Sequence, residues 1–209
     1  MIKLKTVEQN ISMKQEQFEW IHSWSDNTNN HDLPRVLLIG DSITHGYQEI
    51  VREALKGVCY VDYVATSYTL NSAFFFKLVI NYLKNNEYDI VQINQGLHGF
   101  SMSKKTYKEK LEKLINKISA SCKTIILVES TLVKNKGNKS LNNRWGKKID
   151  ERNEAVNEIA KERSLTVNHL YEASENIPND LRNEDGIHYL YGGYQILAHE
   201  VVSVVKSKL

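Results

Sequence analysis

Two short stretches carry the residue types that hydrolytic chemistry uses. The first is LLIGDSITHGY, residues 37–47, in which an apolar run ends on Gly40, Asp41 and Ser42 and a helical pattern follows. Glycine lets the backbone turn sharply where the run ends. A serine at the start of a helix sits where free N–H groups and the helix dipole favour developing negative charge. A nucleophilic serine needs such donors, for its alkoxide and for the oxyanion it creates. The same residues also suit a plain helix cap, with Asp41 or Ser42 accepting from the first free N–H groups. The second stretch is EDGIHYLYGGY, residues 184–194, where Asp185 and His188 stand three apart. Within one turn the carboxylate can accept an imidazole N–H, fix the tautomer and leave the other ring nitrogen facing a serine. His45 is closer to Ser42 in sequence, but it lies a helical turn further on and has no neighbouring carboxylate to orient it.

From Pro34 onward, short apolar runs alternate with longer helical patterns. The pattern predicts strands over 36–39, 58–64, 89–94, 124–129 and 165–168, and helices over 45–55, 72–84, 104–119, 147–163 and 193–205. Such β-α alternation implies an α/β domain, a doubly wound parallel sheet of about five strands between layers of helices. In these sheets function collects at the carboxyl ends of the strands, near the switch in strand order. Residues 1–33 read as a separate unit: Val7, Ile11, Phe18, Ile21 and Trp24 recur at helical spacing and predict an amphipathic helix docked on a main domain of residues 34–209. A lid or dimer arm is the functional alternative for that helix, and Trp20 and Trp24 are expected in the core. The polar loop 134–143 has the composition of a mobile segment overhanging the site.

Bulk properties narrow the class. A chain of 209 residues, 41% hydrophobic, holds enough apolar surface for a packed core. The net charge of +2, from 27 basic and 25 acidic residues, lacks the basic excess of a nucleic-acid binder. Cys59 and Cys122 alone make no disulfide framework and fit free thiols in a reducing compartment. The opening residues lack the apolar core of a secretory signal, and no run is long enough to span a bilayer, so a soluble cytoplasmic protein without membrane partners is expected.

A serine placed early and an acid-x-x-base pair just before the last helix resemble the order found in SGNH/GDSL hydrolases. The resemblance covers residues 35–209: GDSITHGY is similar to that family's first block and DGIHYL to its last. It implies a three-layer α/β/α sandwich of flavodoxin-like type, with Ser42 as nucleophile, His188 as general base and Asp185 as its orienter. It also implies no metal and no organic cofactor. The substrate class implied is a small acyl ester, preferentially an acetyl ester and preferentially on a carbohydrate. A thioesterase, lysophospholipase or acyltransferase with the same triad, or an inactive binding protein of this fold, are the alternatives.

The oxyanion hole is where the chain departs from the family pattern. The third block reads DIVQINQGLHG, residues 89–99, and setting Gly96 on the glycine of Gly-x-Asn-Asp puts His98 where asparagine stands. A subset of SGNH-like sequences with GLHG looks similar. His98 and Asn94 are both candidates for the donor, and His98 also reads as a structural histidine holding the loop. The second block, VATSYTLNSA at residues 64–73, lacks the family's glycine; Ser67 is its equivalent by distance from the strand, with Thr66 adjacent. A main-chain N–H from Ser67, beside that of Ser42, would complete the hole. Arg152 and Asn153 resemble an Arg-Asn pair in GLHG-type relatives that supports the site, and read equally as an exposed helix face. Asp41 is a further supporting candidate. Tyr47, Tyr189 and Tyr191 either line a substrate pocket or pack in the core. Oligomeric state is left open, with a dimer allowed by the amphipathic N-terminal segment.

Overall fold

In the segment RVLLIG, alternate side chains point to opposite faces of a strand. Val36 and Leu38 join one apolar cluster, Leu37 and Ile39 another, and all are buried. A strand apolar on both faces belongs inside a sheet covered on both sides. The computed structural model describes residues 18–137 and 140–209 and places this strand inside a six-stranded sheet. The elements run β1 (Ile21–Trp24), β2 (Arg35–Gly40), α1 (Ser42–Ala54), β3 (Tyr60–Thr66), α2 (Ala73–Asn85), β4 (Tyr88–Ile93), α3 (Lys104–Ile118), β5 (Cys122–Val128), α4 (Asn143–Arg163), β6 (Thr166–Asn168), α5 (Leu170–Glu175) and α6 (Tyr191–Lys206). Strand order is β1-β3-β2-β4-β5-β6. The five strands from β3 to β6 pair in parallel, and β1 adds antiparallel to the edge of β3.

Each face of the sheet has its own helix layer. Ile43, Tyr47 and Val51 of α1 pack with Leu197, Val201 and Val205 of α6 over Val36 and Leu38. Phe75 and Val79 of α2, Leu111 and Leu114 of α3, and Val156 and Ile159 of α4 cover Leu37, Ile39 and Val91. This is the expected α/β/α sandwich, and its strands and helices begin and end within a few residues of the sequence reading. After β2 the chain moves to β3 on one side, then crosses to β4 on the other. That reversal opens a crevice at the carboxyl end of β2, where Ser42 emerges.

The N-terminal reading needs correction. Ile21 and Trp24 lie in a strand rather than a helix, paired with Thr66 and Tyr63. Val7 and Ile11 fall outside the described residues. Apolar spacing of three satisfied a helix template, but the free edge of β3 offers this short segment main-chain partners that a brief helix could not match. Nor is Trp24 core: it is 52% exposed, with the Arg52 guanidinium 5.0 Å over its ring.

At the amino ends of the strands a buried ion pair joins Arg35 to Asp62 at 2.9 Å. Tyr88 donates to the second Asp62 oxygen at 2.7 Å, and the Asp26 N–H donates to the first at 2.8 Å. The Arg35 guanidinium also donates to the carbonyls of Asp26 and Asn27, at 2.6 and 3.0 Å. Burial pushes the Asp62 carboxyl up, against the opposing pull of Tyr88, the Asp26 N–H and Arg35.

Candidate active site

Gly40 ends β2 in a tight place. A Cβ there would run into the Thr44 side chain and come within 2.8 Å of the Asn94 carbonyl, so only glycine lets the chain turn directly into α1. Asp41 then caps that helix, its Oδ1 accepting from the Ile43 N–H at 3.0 Å. Its other oxygen accepts from the N–H groups of Gly96 (3.4 Å) and Leu97 (3.1 Å), in the loop after β4. Asp41 is fully buried. The cap therefore belongs to Asp41, and Ser42 becomes the first helical residue with its hydroxyl free to face outward.

His188 meets that hydroxyl. Its Nε2 lies 2.8 Å from Ser42 Oγ, and its Nδ1 lies 2.6 Å from Asp185 Oδ2. An ionised carboxylate only accepts, so Nδ1 carries the proton and the Nε2 lone pair faces the serine. Asp185 Oδ1 accepts from the N–H groups of Ile187 and His188, both at 2.8 Å. Partial burial works to raise the Asp185 pKa, but the hydrogen bonds from the His188 side chain and these two N–H groups prevail and hold the carboxyl below its ordinary range. His45 makes no such bond. Its ring stacks on His22 at 4.3 Å, and its Nδ1 has no hydrogen-bond partner among the described residues.

The turn that carries Asp185 and His188 is braced at several points. The Asn183 N–H donates to the His188 carbonyl at 2.9 Å, and Arg182 bridges to Tyr189. Gly186 has φ near +78°, and a Cβ there would strike the Lys134 main chain. The Lys134 N–H donates to the Gly186 carbonyl (2.8 Å) and the Gly137 N–H to that of Glu184 (2.7 Å). The loop expected to overhang the site thus has a stem, bridged between Lys134 and Leu141, that fastens the turn holding Asp185 and His188.

Arg152 is 1% exposed, which removes the exposed-face reading. Its guanidinium donates to the carbonyls of Gly96, of His98 (2.8 Å) and of Gly99 (2.8 Å), and lies 4.6 Å from the Phe100 ring and 5.0 Å from the Tyr107 ring. Asn153 clasps the Ser130 main chain, accepting from its N–H at 2.8 Å and donating to its carbonyl at 3.0 Å. Both residues order the loops after β4 and β5.

The remaining candidates fall in different places. Asn94 is buried beneath the loop and hydrogen-bonds the Tyr47 hydroxyl, alongside Thr44 and Gln92. Burial pushes Tyr47 up to about 12, which makes it a neutral, hydrogen-bonded core residue rather than a pocket wall. Ser67 is fully buried and its N–H points to the Trp20 carbonyl at 3.3 Å, so that N–H is engaged with the N-terminal segment. Thr66 is engaged there too, its Oγ1 donating to the same carbonyl at 2.7 Å. His98 is half-buried, with the Trp20 ring edge-on at 6.2 Å. Tyr189 is buried, whereas Tyr191 is 68% exposed. Sequence reasoning passed over Arg182 and Trp20. The first carries no local signal, and the second reads from sequence as a core residue. Among the described residues no group of three or more His, Cys, Asp or Glu side chains is arranged to hold a metal ion, and no helix is long and apolar enough to cross a membrane.

Comparison of the sequence with protein-family models and with curated proteins gives no match. Solved structures do match. A lipase/acylhydrolase from Enterococcus faecalis superposes with a TM-score of 0.66 at 20% identity, over 85% of this chain and 97% of that one. An acetylxylan esterase from Geobacillus stearothermophilus gives 0.65 at 18% identity, over 81% and 93%. A GDSL-like lipase from Bacteroides thetaiotaomicron gives 0.66 at 16% identity, over 84% and 89%. At these identities the likeness establishes architecture, and that architecture, a mostly parallel sheet flanked by helices, is the SGNH hydrolase fold.

Proposed function

We propose that the chain is a serine esterase acting on a small acyl ester. The observation that carries this reading is the relay of contacts from Asp185 through His188 to Ser42, at 2.6 and 2.8 Å. Ser42 Oγ attacks the acyl carbonyl while His188 Nε2 takes its proton, and Asp185 steadies the imidazolium that results. The oxyanion develops at the amino end of α1, where the Ser42 N–H and the helix dipole oppose its charge, with His98 as the second donor. Ser67 and Asn94 are left out of this role because their partners lie elsewhere. His188 then passes its proton to the leaving alkoxide, and water attacks the acyl-enzyme by the reverse route. The acid and base are partly open, with side-chain exposures of 42% and 35%, which supports access of water to the intermediate.

An acetyl group on a carbohydrate is the preferred substrate class, supported by the likeness to an acetylxylan esterase. Hydrolysis of p-nitrophenyl acetate and of acetylated xylo-oligosaccharides, by wild type and Ser42→Ala, tests both parts. Ser42→Ala is expected to lose about 10³-fold or more in rate, because nucleophile and base act as a unit. Equal activity in the two proteins sinks the triad. Activity on the aryl ester alone sinks the carbohydrate.

A further inference from the structure

Trp20 occupies an unusual position for a residue ahead of an edge strand. Its main chain is fastened to the carboxyl end of β3: its N–H donates to Ser67 Oγ at 2.9 Å, and its carbonyl accepts from Thr66 Oγ1 at 2.7 Å. Ser67 Oγ donates in turn to Glu19 Oε2 at 2.6 Å. Thr66 and Ser67 are fully buried, so the anchor is shielded from water. The indole held there lies 6.2 Å from the His98 ring and 6.4 Å from the His45 ring. His98 belongs to the loop bound to Asp41, and His45 stands one turn beyond Ser42 on α1. The indole therefore spans the two elements that flank the serine.

The side from which it approaches gives it a role. Asp185 and His188 sit on a turn fastened to Lys134 and Gly137, which follow β5. In the order β3-β2-β4-β5, the strand leading to Ser42 lies between that turn and the β3 anchor of Trp20. In ester hydrolysis the general acid protonates the leaving oxygen, so the leaving group lies toward His188 and the acyl chain extends away from it. Away from His188 is toward β3 and the Trp20 anchored on it. We propose that Trp20 is the wall of the acyl subsite and restricts it to short acyl chains. This rests on the esterase reading of Ser42 and gives that site its acyl-length specificity.

The test measures kcat/KM for p-nitrophenyl acetate, butyrate and octanoate with wild type, Trp20→Ala and Trp20→Phe, alongside labelling by an ethyl fluorophosphonate. In labelling, Ser42 Oγ bonds to phosphorus, fluoride leaves and the hydroxyl proton passes to His188; intact mass reads the adduct. Trp20→Ala is expected to raise the butyrate-to-acetate ratio about tenfold or more, the scale at which an apolar pocket discriminates by methylene. Trp20→Phe should fall between alanine and wild type, and it carries the test alone if the alanine variant fails to fold. An unchanged ratio in proteins whose Ser42 still takes the label overturns the wall. A folded wild type that neither hydrolyses an ester nor takes the label overturns the esterase reading itself, and the wall with it.

Discussion

The two ends of the sheet use buried charge in opposite ways. At the amino ends, Arg35 and Asp62 meet directly, and nearly every remaining donor and acceptor is met by Tyr88 and the chain at residues 26–30. At the carboxyl ends, Asp41 and Arg152 are equally buried but bond to the main chain of one loop instead of to each other. Gly96 is gripped from both sides: its N–H goes to Asp41 and its carbonyl to Arg152. A direct ion pair joins two pieces of chain. Charges set separately against N–H groups and carbonyls dictate the path of a loop, and here that loop carries His98. Burial of a charge alone therefore does not distinguish structure from chemistry; what the charge bonds to does.

Variants at the two ends should part company accordingly. Ser42→Ala, with the largest effect expected, removes activity and leaves the melting temperature nearly unchanged. Asp62→Asn does the reverse: it strands Arg35 without its counter-charge and should cost about 3–5 kcal/mol of stability in denaturant unfolding. Activity per folded molecule should hold, and a matching loss of kcat would break the division between the ends. Arg152→Met belongs to both, since it releases three carbonyls and two aromatic faces while touching no reacting atom. We expect about 10–100-fold lower kcat, the scale of loss when a supporting contact goes, with a lowered melting temperature. Wild-type kcat in that variant would show the loop to be ordered by other means.

The smallest effect concerns acid. Burial and the charge of His22 hold the His45 imidazole below its ordinary pKa. The unfolded chain binds that proton more readily, so stability from neutral His45 is present above about pH 6.5 and declines as pH falls through the lower folded value. Thermal melts should drop more steeply on acidification in wild type than in His45→Phe. Parallel curves would assign the acid sensitivity to other groups.

Much of this was legible in the residues themselves. Alternation in RVLLIG, the glycine-acid-serine turn and the acid-x-x-base spacing are local patterns, and local patterns are what a sequence displays directly. Arg152 was ambiguous because its helix is rich in charge, and its partners at Gly96, His98 and Gly99 lie more than fifty residues away. β1 was misread for a similar reason. Phe18, Ile21 and Trp24 satisfy a helical spacing, while the edge of β3 that recruits Ile21 and Trp24 to a strand leaves no trace in their own order. Ser67 was matched by its distance from a strand, and the Trp20 main chain that occupies it arrives from elsewhere in the chain.

Ser42 and His188 are separated by 146 positions along the chain. During synthesis on the ribosome Ser42, the proposed nucleophile, leaves the exit tunnel well before His188, its proposed base, exists. The half-made protein thus carries a serine at a helix start without the histidine proposed to activate it, and the β5-side turn must dock before the two can meet. Contacts so distant in sequence carry a loop-closure cost that must be met before they reward it. Hydrolytic activity would then report the finished molecule, and a partly built chain would be chemically silent toward the esters around it.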